Sequence, residues 1–538
     1  MRCGRPDVLL LVGRLYAAGT TTPRRTVTGW DAAIFDICHW ATAAGRAIVR
    51  VMPALMPVRC LAAAILLLAL VAARLRGQIP LTEYTARRDS IAARLDSGVV
   101  VAFSGRTPVT DHGPFYQLAS FHYLTGFDEP DAGFVMVIRG GKGTGTLFIT
   151  PKPPRLALYY GAIPDSAATR RATSLPSRSG DGLRSALDSL AGTGLPFYII
   201  SDVESADFAK QDSLTRGQQF IRAFIDAHPG LVVRDAHPII AELRARKSPA
   251  ELALLRRAAA ISDSGHRAAM RLIAPGLHEY DLQAVLEAAF LRGGAQRSGY
   301  GSIVGAGVNA TTLHYMRDRA PLRTGDVVVI DAAAELDGYS ADVTRTLPVS
   351  GAFTPEQRRI YALVLEAQKA AERNSRLGMS ALAASDSAFD IRAAGLARLG
   401  LIESPDSMVD LPWKSDCAAL PRSCSQAVIW TIHGISHGLG LEVHDPAQFY
   451  AADHTFKIGD VFTIEPGIYV RSSVLDILPD TPRNRRFIAK VRPVATRYEN
   501  IGVRIEDDYA ITERGLERIS HAPREIAEVE ALTRKSRH

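Results

Sequence analysis

The chain has 538 residues, 47% apolar and 22% charged, which is length and apolar content enough for two or three domains with cores of their own. Its formal net charge of +7 is concentrated at one end: residues 1 to 78 hold ten arginines, no lysine and three aspartates, and the remainder carries acids and bases in equal number. A neutral body excludes the broad basic surface that charge-driven nucleic-acid binding needs, so no nucleic-acid partner is expected.

In chain order, residues 1–51 show no clear element periodicity and read as a non-structural extension. From Met56, MPVRCLAAAILLLALVAARLRG has a short head with one arginine and then an uncharged run from Cys60 to Ala73. That run falls short of the roughly 20 residues a membrane-spanning helix needs. Residues 52–78 are therefore read as a secretory signal peptide, the alternatives being an uncleaved anchor or a buried helix. Export to a periplasmic or extracellular space follows, with transient membrane contact through the signal. Cysteine use agrees, because only Cys417 and Cys424 lie beyond the leader. They flank CAALPRSC, which closes as a disulfide in an oxidising compartment or leaves two free thiols.

EYTARRDSIAARL at 83–95 has an amphipathic helical pattern, and GVVVAFSG at 98–105 reads as a buried strand between glycines. GFVMVI (133–138), GTLFIT (145–150) and PFYIIS (196–201) read as further strands. Residues 182–191 and 214–227 read as helices, and the glycine and serine cluster at 173–182 as a surface loop. The alternation predicts an α/β domain over 79–245. Ser248 stands three residues before Glu251, a capping box for a long helix that opens a second domain over 246–535.

The second domain contains a repeat. GDVVVID at 325–331 returns as GDVFTIE at 459–465, and each apolar strand ends in a carboxylate. After the first, Asp337-Gly338 predicts a two-residue hairpin turn that sets Leu336 against Tyr339 and Ala333 against Asp342. Asp331 and Asp342 then share a face as diagonal neighbours roughly 7–8 Å apart. The second half offers Glu465, and in GVRIEDDYAI a returning strand with Arg504, Glu506 and Asp508 on one face. Carboxylates crowded into a water-poor interior repel unless a cation lies between them. Four acids with one or two imidazoles make a hard, oxygen-rich donor set, suited to manganese, cobalt or zinc pairs. Three of the chain's 14 histidines stand together in HGISHGLGLEVHD, at 433, 437 and 444.

In the settings VIDAAAELDGYSADVTRT, HGISHGLGLEVHD, TIEPGIY and GVRIEDD, the chain resembles the dinuclear-metal peptidases of pita-bread fold, and among them aminopeptidase P, the Xaa-Pro aminopeptidases. FHYLTGFDEPDAGFVMV at 121–137 is similar to that family's amino-terminal domain. The resemblance implies an α/β domain followed by an α+β pita-bread catalytic domain with pseudo-two-fold duplicated halves. It implies two divalent ions, manganese first with cobalt or zinc as alternatives, held by Asp331, Asp342, His437, Glu465 and Glu506. It further implies a shared water or hydroxide as nucleophile, Glu465 as its proton acceptor, and His314 and His444 as catalytic histidines. His433 and Tyr300 would form the pocket for a proline ring, and Arg504 and Tyr469 would support Asp331. The partners implied are peptides with proline in second position, and the assembly a homo-oligomer, dimer or tetramer.

Two features depart from the family's pattern: Gly438 follows His437 where an aromatic residue often stands, and a long insertion, SSVLDILPDTPRNRRFIAKVRPVATRYEN, lies between Glu465 and Glu506. The nearest rival activity is a proline dipeptidase on the same fold, and a more distant one a catalytically silent peptide-binding relative. Ser436 before His437, together with Tyr300, leans toward the aminopeptidase, and a silent relative would be expected to have lost a ligand.

Overall fold

The structure, a computed structural model, describes residues 78–107, 114–161, 164–200, 216–447 and 454–534. The expected extension and signal segment, up to residue 77, lie outside the described residues. No helix among the described residues is long and apolar enough to cross a membrane.

The first domain is built on a six-stranded sheet. Its elements are α1 (Leu81–Leu95), β1 (Gly98–Phe103), α2 (Ala119–Thr125), β2 (Gly133–Arg139), β3 (Lys142–Ile149), α3 (Pro154–Tyr160), α4 (Ser166–Thr173), β4 (Ser177–Ser179), α5 (Leu183–Ala191), β5 (Phe197–Ile200), α6 (Arg216–Ala227), β6 (Val233–Asp235) and α7 (His237–Ala245). The strand order is β4-β3-β2-β1-β5-β6. Strands β1 to β3 are antiparallel, while β5 runs parallel to β1 and β6 to β5. Strand β1, GVVVAF, is buried along its whole length because both faces are covered. Val100 and Ala102 pack on one side with Phe134 and Met136, and Val99, Val101 and Phe103 on the other with Leu187 and Phe224. The period of two along the strand sorts them. The segment 173–182, expected as a surface loop, contains β4, which pairs in parallel with Leu147–Ile149. An open sheet edge offers unpaired backbone groups, and three residues can take them up without strong strand propensity of their own.

The second domain opens with α8 (Pro249–Leu272), whose capping box joins Ser248 and Glu251 as the sequence predicts. It continues with α9 (Glu279–Arg292), β7 (Arg297–Ser298), β8 (Ile303–Ala306), β9 (Val327–Asp331), β10 (Ala334–Leu336), β11 (Tyr339–Ser340), β12 (Thr344–Pro348), α10 (Pro355–Asn374) and α11 (Ala381–Leu399). Strands β13 (Val461–Ile464) and β14 (Gly467–Val470), α12 (Pro482–Arg497), β15 (Ile501–Arg504), β16 (Asp507–Thr512), β17 (Gly515–Arg518) and α13 (Ile526–Arg534) complete it.

The two GD repeats fold alike. Gly325 and Gly459 take φ of 92° and 94°, a region open to glycine at little cost. In each copy the aspartate accepts a backbone N–H three residues upstream, Asp326 from Arg323 at 3.2 Å and Asp460 from Lys457 at 2.8 Å. A strand then leads to the carboxylate. In the first copy Asp337 and Gly338 have φ of 49° and 82°, the positive pair a two-residue hairpin requires, and Leu336 lies opposite Tyr339. The register stays constant to the pair Asp331 and Thr344, so Ala333 stands opposite Asp342 as expected. In the second copy Ile464 pairs with Asp507 and Gly467 with Arg504, which sets Glu465 against Glu506. Regular pairing lapses at Asp342 in the first copy and at Glu465 and Glu506 in the second. The insertion forms α12, and its ends return to register where Asn500 N–H meets the Val470 carbonyl at 2.9 Å.

Candidate metal centre

Five side chains converge where the two broken hairpins meet. Asp342, His437 and Glu506 each bring one ligand atom within 4.8 Å of the others. His437 Nε2 lies 3.4 Å from Asp342 Oδ2, 3.3 Å from Glu465 Oε1 and 3.9 Å from Glu506 Oε1. Its Nδ1 donates to the Gly438 carbonyl at 3.0 Å, which turns the other nitrogen toward the acids. Backbone pairing with β13 holds this segment: Thr463 N–H meets the His437 carbonyl and Glu465 N–H the Ile435 carbonyl. Gly438 is required, since a Cβ there would lie 2.2 Å from the Asp445 carbonyl oxygen.

Each half of the repeat braces candidate ligands of the other. Arg504, from the second half, donates to Asp331 Oδ2 and, through Nη1, to Tyr469 Oη at 2.9 Å. Thr344, from the first half, donates to Glu506 Oε2 at 2.6 Å. Asp508 accepts the Asp342 backbone N–H at 3.1 Å. The returning strand expected to carry Arg504, Glu506 and Asp508 on one face is interrupted between Arg504 and Asp507, and Asp508 acts on the backbone of Asp342.

Tyr300 Oη lies 2.5 Å from Asp331 Oδ1 and 2.6 Å from Asp342 Oδ1, so its hydroxyl faces the metal-site carboxylates. The hydroxyl that meets His433 is that of Tyr469, at 2.8 Å from Nε2. His433 Nδ1 is 3.5 Å from Glu465 Oε2. The His437 and His444 rings lie 4.2 Å apart. His314, His433, Gly434, Ser436, His437 and His444 line a cavity of about 380 Å³ with Asp331, Asp342, Glu465, Arg504 and Glu506. Glu279, fully buried at the start of α9, pins the loop that carries His314. Its carboxylate accepts from Ala306 N, Asn309 Nδ2, Tyr315 Oη and Ala320 N, all within 2.9 Å.

The electrostatics ask for positive charge. Burial, then the neighbouring acids, push Glu506 well above the ordinary carboxylate range, and burial followed by Asp331 raises Asp342. Burial raises Glu465 to about 7 despite the pull of His437. Asp331 goes the other way: burial opposes its charge, yet Arg504 and Tyr300 hold it below the usual value. His437, desolvated but ringed by Asp342 and Glu465, rises to about 9. Burial depresses His444 to about 4, with His437 and His314 adding to the effect, and it depresses His433 well below the ordinary histidine value, aided by Arg504. Glu506 Oε1 is buried among the described residues with no hydrogen-bond partner. An orphaned carboxylate oxygen beside a turned imidazole and three more acids fits divalent cations.

Thr344, Asp508 and Glu279 were not singled out as site residues from sequence, apart from Asp508's place on the returning strand. Thr344, two residues beyond Asp342 on the same hairpin arm, was the signal within reach.

Residues 253–513 match Metallopeptidase family M24, and residues 84–191 match the Aminopeptidase P N-terminal domain. The chain is 31% identical over 470 residues to the Xaa-Pro aminopeptidase of Escherichia coli (strain K12), covering 85% of this chain and 98% of that one. It is 31% identical over 465 residues to the Xaa-Pro aminopeptidase of Haemophilus influenzae, again covering 85% and 98%. Among solved structures, a histidine-to-alanine variant of E. coli aminopeptidase P superposes with a TM-score of 0.71 at 29% identity, over 86% of this chain and 99% of that one. Proline aminopeptidase P II from Yersinia pestis gives 0.69 at 30%, over 85% and 100%. The likeness runs along nearly the whole length of these proteins and takes in both the α/β domain and the domain that carries the duplicated hairpins, and the chain belongs to metallopeptidase family M24, among the Xaa-Pro aminopeptidases.

Proposed function

We propose that the protein is a metal-dependent aminopeptidase that releases the N-terminal residue from peptides with proline in second position. The observation that carries this reading is the donor set of Asp331, Asp342, His437, Glu465 and Glu506, with its orphaned Glu506 oxygen, opening onto a cavity lined by three further histidines.

Asp331, Asp342, His437, Glu465 and Glu506 would hold two divalent ions. When bound, such ions polarise the scissile carbonyl and make hydroxide available near neutral pH. The residues around them handle the protons and the peptide. Glu465, whose carboxylate faces the His437 and His433 rings, takes a proton from the attacking water and returns it to the proline nitrogen as the amide breaks. His444, neutral at physiological pH, presents an N–H donor to the carbonyl oxygen as charge develops on it. His314 lies across the same cavity and holds the peptide. His433, kept neutral and fixed by Tyr469, lines the seat of the proline ring, and Tyr300 acts from beside Asp331 and Asp342. Arg504 and Tyr469 keep Asp331 ionised and aimed.

An X-Pro bond has no amide N–H and a fixed φ, so a site that grips extended backbone handles it poorly. A cavity that holds a ring and polarises a carbonyl has no such need.

We further propose manganese as the working ion, with cobalt or zinc able to replace it, export through the N-terminal signal, and a homo-oligomer, dimer or tetramer. The Cys417–Cys424 disulfide, with Cα atoms 5.5 Å apart, supports an oxidising compartment. The deciding experiment incubates the purified protein and manganese with Arg-Pro-Pro, Ala-Pro and a proline-free tripeptide. Release of arginine from Arg-Pro-Pro is expected, with the proline-free tripeptide left intact. Cleavage of Ala-Pro alone would establish the dipeptidase instead, and no cleavage of any would leave a peptide-binding protein.

A further inference from the structure

One buried charge cluster beside the cavity has no part in the chemistry above. Arg244, near the end of α7, and Lys247, in the link to α8, both reach Asp445, the residue after His444. Arg244 Nη2 lies 2.5 Å from Asp445 Oδ1 and 2.6 Å from Glu442 Oε2, and Nη1 donates to Ser120 Oγ on α2 at 3.2 Å. Lys247 Nζ lies 2.7 Å from Asp445 Oδ2 and 3.4 Å from the Pro446 carbonyl oxygen. The side chains of Arg244, Lys247 and Asp445 are each 1% exposed.

Asp445 ties this cluster to the catalytic loop. Its Oδ1 accepts the Glu442 N–H at 3.2 Å, and its own N–H meets the Gly438 carbonyl at 3.0 Å, closing the stretch that begins at His437. The packing leaves no slack: a Cβ on Gly440 would sit 2.6 Å from Asp445 Oδ2 and 2.8 Å from Lys247 Cε. Lys247 also donates its backbone N–H to the carbonyl of Gly459, the glycine that begins the second repeat.

Two cations on one buried carboxylate are a poor route to stability, because desolvation cancels much of the attraction and apolar side chains of the same shape could hold the fold as well. What a directional pair of charge-assisted bonds supplies is one fixed geometry. Asp445 lines the cavity between His444 and the Gly438 turn, so the geometry it fixes is that of the two histidines.

We propose that Arg244 and Lys247 are positioning residues, a clamp from the link between the domains that sets the 438–445 loop and, through Asp445, the orientation of His444 against His437. The functional part of this proposal rests on the role given to His444 above. The clamp makes the α/β domain part of the catalytic apparatus without touching substrate.

The test uses the full chain. Lys247→Met keeps the aliphatic stem and removes the charge, Lys247→Arg restores the charge, and Arg244→Lys serves as a milder variant should Lys247→Met fold poorly. Hydrogen exchange of the 438–447 amides is expected to quicken about tenfold in Lys247→Met, with β1 and β2 unchanged. On Arg-Pro-Pro, kcat is expected to fall about tenfold with KM held within about twofold, and Lys247→Arg to recover most of the loss. In a cycle with H444A, the double variant is expected to be no slower than H444A alone, because both act through one group. Unchanged exchange in Lys247→Met and in Arg244→Lys overturns the clamp, as do losses that multiply in the cycle. A wild-type protein that cleaves no proline-second peptide, with exchange still quickened in Lys247→Met, supports the clamp and sinks only the role of His444.

Discussion

The first hairpin of the repeat closes through two residues, Asp337 and Gly338, whereas the second closes through residues 471–500, which hold a helix of their own. Both nevertheless end with their carboxylates in one place. The short connection fixes register by turn geometry, since only positive φ at both central positions lets the strands pair at once. The long connection cannot do that, and its register is held from outside, by the Gly459 turn at one end and by bonds to the first half at the other. Arg504 N–H and its carbonyl both meet Thr346 Oγ1, at 3.1 and 3.0 Å, and Arg345 Nη1 meets the Glu506 carbonyl at 2.5 Å. Connection length is therefore free to vary once another part of the fold supplies the alignment, and the insertion costs the site no ligand.

The comparison can be broken most forcefully at the ligands. Asp342→Ala in the first half and Glu506→Ala in the second are each expected to abolish turnover and to lower the manganese retained per chain, measured by elemental analysis after dialysis. If either half tolerates the loss, the two do not share one site. Next come the braces that cross between halves. Arg504→Met is expected to reduce kcat/KM or metal affinity by roughly 10- to 100-fold, and Thr344→Val by about tenfold, since a neutral donor gives less than a charged one. Steady-state kinetics with a manganese titration separates the two effects, and equal losses would mean that charge is irrelevant to the brace.

A smaller effect is expected at the matched glycines. Gly325→Ala and Gly459→Ala should each cost about 1 kcal/mol of folding stability from backbone strain. Gly459→Ala should cost more, because its Cβ would approach the Lys247 carbonyl at 3.0 Å while the space around Gly325 is open. Denaturant titration reads the difference, and a larger loss at Gly325 would refute the packing argument. A pH effect is expected at the aspartates beside them. Burial lifts Asp460 from 3.8 to about 6, and it also raises Asp326. A carboxyl whose folded pKa is raised favours the fold below its unfolded pKa, and the benefit fades as pH climbs from 3.8 through about 6. Asp460→Asn should therefore lose less stability than the wild type across that window. Parallel curves for the two proteins would show that Asp460 does not titrate there.

Local pattern carried a good part of this in the sequence. Asp337-Gly338 fixed the pairing of Asp342 with Ala333, and Ser248 with Glu251 marked the start of α8, because in both cases the interacting groups stand within a few residues of one another. The duplicated glycine and aspartate announced two equivalent turns. Of the partnerships between distant segments, only those the family resemblance implies were legible, such as Arg504 and Tyr469 with Asp331. Nothing near Asp445 signals Arg244 and Lys247, which lie 201 and 198 residues away, and nothing near Glu279 signals that it holds the His314 loop. Alternation placed Arg504, Glu506 and Asp508 together, and all three bond to the first half, at Asp331, Thr344 and Asp342, but the break in the strand between Arg504 and Asp507 was not legible.

The reciprocal bracing has a consequence for biogenesis. Thr344 and Glu506 are 162 residues apart, and Arg504 and Asp331 are 173. Bonds spanning such intervals form after local structure, so neither copy of the repeat can ripen alone. During synthesis a competent ion cradle cannot exist before the segment through Asp508 has left the ribosome, and a truncated product ending short of it carries no peptidase to misfire.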